Sequence, residues 1–180
     1  QERLGRARAS VLFSATLTPP EYYSSLLGGG EHAAHVALPS PFPREQLRVL
    51  VDRSVSTRFR DRSGSLLRVA KTVAAAAAAH PGSYLAFAPS HEYLGALHRA
   101  YQNLASASRS MAQRPGMSDA ERREFVEELV AFGRSAARAH GWESLVGFAV
   151  LGGLFGEGVD LPGEALIGAA HPSKCGHCGG

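Results

Sequence analysis

Apolar positions along this chain change their spacing several times, and each change marks an element. Val11-Leu12-Phe13, Tyr84-Leu85-Ala86-Phe87 and the stretch from Leu145 to Leu151 are short apolar runs without clean alternation. Runs of that length read as buried strands. His35 to Leu38 and Ala165 to Ala169 are weaker strand candidates, and Leu47 to Val51 is a further apolar run. Between them the period becomes helical. Leu66, Leu67, Ala70, Val73, Ala74 and Ala77 fall on one broad face of a predicted helix over 65–79, which His80-Pro81-Gly82 terminates. Leu94, Leu97 and Tyr101 define a second helix, and Phe125, Leu129, Phe132 and Ala136 a third.

Helix starts are marked by their capping chemistry. Ser118-Asp119-Ala120-Glu121 is a capping box, in which serine and glutamate satisfy each other's backbone N–H groups. Ser90 stands where an N-cap belongs, ahead of the helix through Leu94. Thr18-Pro19-Pro20-Glu21 has the same capping-box form and predicts a short helix ending at Gly28-Gly29-Gly30.

Unalternating strands separated by helices predict an α/β fold: an open parallel sheet with helices on both faces. Ligands of such sheets lie at the carboxyl ends of the strands. Three segments stand there: Ser14-Ala15-Thr16-Leu17, Ala88-Pro89-Ser90 and Gly152 to Gly163. The regions of Thr16, Ser90 and Gly158 are therefore expected along one rim.

Composition narrows the class. The chain has 180 residues, 44% of them hydrophobic, enough for a real core. No run approaches the ~20 apolar residues of a membrane span, and Gln1 to Ala9 has no signal-peptide character; a soluble, cytoplasmic protein without membrane association is the expectation. A formal charge of +3 is compatible with a polyanionic partner without demanding one. Lys71 and Lys174 are the only lysines, and Cys175 and Cys178 the only cysteines, which excludes a disulfide-built scaffold.

Several chemical motifs fail. Ala70-Lys71-Thr72 lacks the glycines of a phosphate loop, since Ala70 and Ser65 stand in their places, and Lys71 is mid-helix. Cys175, His177 and Cys178 give at most three soft ligands where structural zinc takes four. No serine has the surroundings of a hydrolase nucleophile. Arg58, Arg60 and Arg62 read more readily as a solvated surface than as a nucleic-acid contact.

Four segments, in order, resemble superfamily 2 helicases of the XPD/DinG type. Val11 to Leu17 resembles motif III, with Ser14, Ala15 and Thr16 as the coupling triplet. Ser40-Pro41-Phe42 with Ser56 to Arg62 is similar to the entry into the second RecA-like domain. Tyr84 to Ser90 resembles motif IV. Gly152 to Gly163 resembles motif V with its preceding turn, and Gln113 to Met117 matches bacterial members. The resemblance implies a RecA-like, P-loop NTPase-type fold, with residues 1–38 ending a first RecA-like domain and residues 39–180 forming the second. It implies nucleotide contacts at Gly156, Glu157, Gly158 and Asp160, with Asp160 as the nucleotide sensor. It implies DNA contacts at Ser90, Gly152, Gly153 and Phe155.

The activity so implied is ATP-dependent translocation on single-stranded DNA and duplex unwinding. ATP and Mg²⁺ would be held mainly by the first RecA-like domain, upstream of residue 1. An iron–sulfur cluster, present in some members, would also lie outside this chain. No metal site and no complete catalytic set is expected here. The tail from about residue 170 departs from the family pattern, which continues with motif VI and its arginine finger; a truncation, a frameshift and a fragment end all fit that departure. Two other readings stay open: a nucleic-acid binding module without nucleotide chemistry, and a non-motor α/β enzyme binding a small phosphorylated ligand.

Overall fold

The computed structural model of the chain describes residues 6–15, 17–29, 33–56, 59–104, 108–138, 143–152, 155, 161 and 163–172. The chain divides into two compact units, Gln1–Leu50 and Val51–Gly180.

In the first unit, helix α1 spans Pro20–Leu27. Pro19 is its N-cap and no side chain caps it, so the capping role expected of Thr18 is not realised. Gly28 ends the helix in the left-handed region, at φ 80°, where a side chain would be strained. The strands expected at Val11–Phe13 and at His35–Leu38 are absent. Val11, Phe13, Val36 and Leu38 are each more than 80% exposed. A strand needs a neighbour to accept and donate its ladder bonds, and no described residue of this unit forms one.

The second unit holds the sheet. Helix α2 (Arg62–Ala79) leads into β1 (Ser83–Ala88), then come α3 (His91–Leu104), β2 (Arg109–Ala112), α4 (Asp119–Arg138), β3 (Leu145–Val150) and β4 (Gly168–Ala170). The order across the sheet is β2-β3-β1-β4, and every pairing is parallel. The side-chain period of two sends alternate residues to opposite faces. Ala86, Ala88, Val146 and Phe148 pack with Ala70, Val73 and Ala77 of α2 and with Leu94, Leu97 and Tyr101 of α3. Leu85, Leu145 and Ala149 pack with Phe125 and Leu129 of α4. Both faces are thus covered, which is why β1 and β3 read as continuous apolar runs.

Two helix ends show how the sequence fits this packing. Ser118 Oγ accepts from the Glu121 N–H at 3.3 Å, and Glu121 Oε2 accepts from the Ser118 N–H at 2.8 Å, completing the predicted box. Those Ser118 donors hold the Glu121 carboxyl below its ordinary value. At the other end of α2, where no basic residue stands, the last carbonyls find hydroxyl donors. Ser144 Oγ donates to Ala77 O at 2.7 Å, and the single Tyr84 hydroxyl proton is shared between His80 O at 2.6 Å and Ala76 O at 3.1 Å. Glycine at 147 lets α4 approach β3: a Cβ there would stand 3.1 Å from the Phe125 ring and 3.2 Å from Leu129.

His98 on α3 lies against Phe148, with ring centroids 5.2 Å apart, and bonds Ser110 Oγ through Nε2 at 3.0 Å. Burial, then the nearby Arg99 charge, hold its imidazole below the ordinary 6.5. The folded state therefore takes up its proton at lower pH than the unfolded chain. Between the two values the unfolded chain binds more protons, so stability rises with pH there. The contribution is complete above about pH 6.5 and is lost as pH falls toward the depressed value. Melting temperatures recorded from pH 7 to 5 should decline more steeply for the natural chain than for His98→Gln; equal slopes would contradict this origin.

Candidate functional site

The carboxyl ends of four parallel strands form one rim. β1 and β3 leave the sheet together: Ala88 pairs with Val150, and the Leu151 N–H donates to Ala88 O at 2.8 Å. Ser90 and Gly152 each stand two residues beyond that last pair, on neighbouring strands. The structure therefore brings these two predicted residues together. On the far side of β3, Gln113 and Arg114 follow the end of β2; on the far side of β1, His171 follows the end of β4.

Ser90 acts as the cap that its position predicted. Its Oγ accepts from the Tyr93 N–H at 3.2 Å, and its carbonyl accepts from Leu94 N–H at 2.9 Å. Its hydroxyl proton remains a donor, beside the positive end of α3. Backbone N–H groups at such a helix start suit a phosphate oxygen.

Gly152 has φ 73°, and a Cβ there would meet nothing within 4 Å. Glycine is required by the backbone turn and not by crowding from any described residue. Arg114, exposed on the β2 side, pairs with Glu121. At the β4 end, the His171 ring lies 6.1 Å from Phe87.

The resemblance implied a DNA contact at Phe155, but its side chain is 4% exposed and packs on Phe125 with centroids 4.7 Å apart. It is part of the core between β3 and α4. Thr16, Gly153, Gly156, Glu157, Gly158 and Asp160 lie outside the described residues, as do Cys175, His177 and Cys178. Ser14 and Ala15 are exposed in the first unit.

The sequence pattern missed β2 and its terminal Gln113. Gln113 Oε1 accepts from the Val150 N–H at 2.8 Å, and its own N–H donates to Phe148 O at 2.8 Å. The signal available was the Gln113-Arg114-Pro115-Gly116 turn ahead of the Ser118 cap, with Gly116 at φ 72°.

Nucleotide chemistry has no cradle among the described residues. Lys71 lies in the exposed middle of α2, away from any glycine turn, and no three metal-binding side chains gather. No helix among the described residues is long and apolar enough to cross a membrane.

No curated protein matches the chain. Residues 73–170, which carry the whole four-stranded sheet, match the helicase C-terminal domain family. The parallel α/β sheet has the RecA-like arrangement that this family implies, and the match spans more than half of the 180 residues. The chain belongs to the helicase C-terminal domain family.

Proposed function

We propose that this chain is the second motor-domain part of an ATP-dependent DNA helicase of the XPD/DinG type, and that it grips one DNA strand along the carboxyl rim of its sheet. The observation that carries the reading is that Ser90 and Gly152 each follow, by two residues, the last pair of β1 and β3 at that rim, in a domain of helicase family. Ser90 offers a hydroxyl and a helix start, Gly152 a left-handed backbone turn, and both suit phosphate oxygens without reading bases. Binding of that kind follows the backbone and is indifferent to sequence, as translocation requires.

Phosphoryl transfer depends on positioning and charge neutralisation. The phosphate loop and the Mg²⁺-holding acid belong, on this reading, to the first RecA-like domain. Asp160, assigned from its motif, senses the nucleotide from this side.

Two ATPase measurements test the proposal. The chain alone should show no ATP turnover above background, with or without DNA, because it has no cradle lysine. In a protein joining this domain to one that carries the phosphate loop, Asp160→Ala should lower DNA-stimulated turnover about tenfold or more. A hydrogen bond to a charged group is worth about 1.5–3 kcal/mol, and about 1.4 kcal/mol is tenfold in rate. Robust turnover by the chain alone, or an unaffected Asp160→Ala protein, would contradict the assignment.

A further inference from the structure

Gln113 closes β2 in an unusual way. Its backbone continues the ladder, donating to Phe148 O, and its side chain then replaces the next strand residue: Oε1 accepts the Val150 N–H at 2.8 Å. That bond settles the amide's orientation, because only the oxygen accepts from a backbone N–H. Fixing Oε1 also fixes the direction of Nε2 and its two N–H donors. Gln113 is half-buried, and no described residue accepts from Nε2. The rim therefore carries a donor on a side chain already ordered by the sheet. Such a group loses little rotamer freedom when it binds.

Its place on the rim matters as much as its chemistry. The order β2-β3-β1 sets Gln113, Gly152 and Ser90 side by side. Two strand spacings separate the outer pair, roughly 10 Å. We propose that Gln113 is a nucleic-acid contact: Nε2 donates to a backbone phosphate oxygen on the β2 side of the Gly152 turn, while Oε1 holds the end of β3 in register. The inference rests on the reading that a single strand lies on this rim.

Three proteins and one probe test it. Labelled oligo(dT) is titrated into the natural chain, Gln113→Glu and Gln113→Met, while amide exchange at Val150 and the melting temperature report the fold. Gln113→Glu keeps the acceptor and removes the donor. Val150 should stay protected and melting unchanged, while affinity falls about fivefold or more, the worth of one hydrogen bond. That deficit should persist at about 0.15 M salt, where charges beyond ~8 Å are screened. Gln113→Met should lose the Val150 protection and also the affinity, with the salt slope unchanged, because a neutral donor displaces no counterion. Binding within twofold of the natural chain by both variants, or recovery by Gln113→Glu at the higher salt, overturns the contact and leaves only a structural clamp. Absence of oligo(dT) binding by the natural chain defeats the underlying rim reading, and this inference with it.

Discussion

Phe148→Ala should destabilise the second unit by about 3–5 kcal/mol, the usual loss for a fully buried phenylalanine. Phe148 is completely buried in the middle of β3. Its ring meets Tyr101 edge-on at 5.2 Å and His98 at the same centroid distance. It joins the sheet face to α3, and alanine would leave a void lined by groups that cannot collapse, since β1 and β2 flank the strand on both sides. Domains of this size are stable by only about 5–15 kcal/mol, so the loss is a large share of the total. Urea unfolding followed by circular dichroism measures it as a lower midpoint. If the alanine variant does not fold, Phe148→Leu, which keeps most of the volume, should cost about 1–2 kcal/mol. A loss below about 1 kcal/mol for the alanine variant would mean that Phe148 is not the keystone of this face.

The same burial explains what the sequence made legible. β1 and β3 are central strands covered on both faces, so nearly every residue is apolar and the run is visible. α4 announced itself through Ser118 and Glu121, whose two reciprocal bonds are a local device needing no tertiary context. Ser90 was legible for the same reason. β2 was not: it is a four-residue edge strand, Arg109 to Ala112, with an exposed arginine and a serine that bonds His98. Val11-Leu12-Phe13 shows the opposite failure. An apolar run states a preference for burial but does not supply the neighbour that would accept it, and here those side chains are exposed.

The candidate site divides along similar lines. Motif spacing put Ser90 and Gly152 at strand ends, and the register of β1 with β3 sets them side by side. Phe155 was read from its motif as a DNA contact, yet its ring fills a gap beside Phe125, a choice made by packing that no local pattern encodes. Gln113 was visible only as part of a resemblance. Its clamp on Val150 depends on which strand lies beside β2, information that is absent from the chain until the sheet forms.

That a single strand lies on the carboxyl rim is tested most directly by titrating labelled oligo(dT) and mixed-sequence strands at several salt concentrations. Phosphate contacts release condensed counterions, and for single strands the slope of log affinity against log salt is about −0.7 per contact. The Ser90 hydroxyl, the Gly152 turn and the Gln113 amide are neutral and release no counterion, so the slope counts only cationic contacts such as Arg114; one such contact gives a slope of about −0.7, and raising salt from about 50 to about 200 mM should weaken binding roughly 2.5-fold. Affinity should be the same for strands of different sequence, because neither the Ser90 hydroxyl nor the Gly152 turn reads base edges. The predicted result is weak, sequence-independent binding that loosens as salt rises. Salt-insensitive binding, strong sequence selectivity, or no binding at about 50 mM salt would contradict a strand-gripping rim.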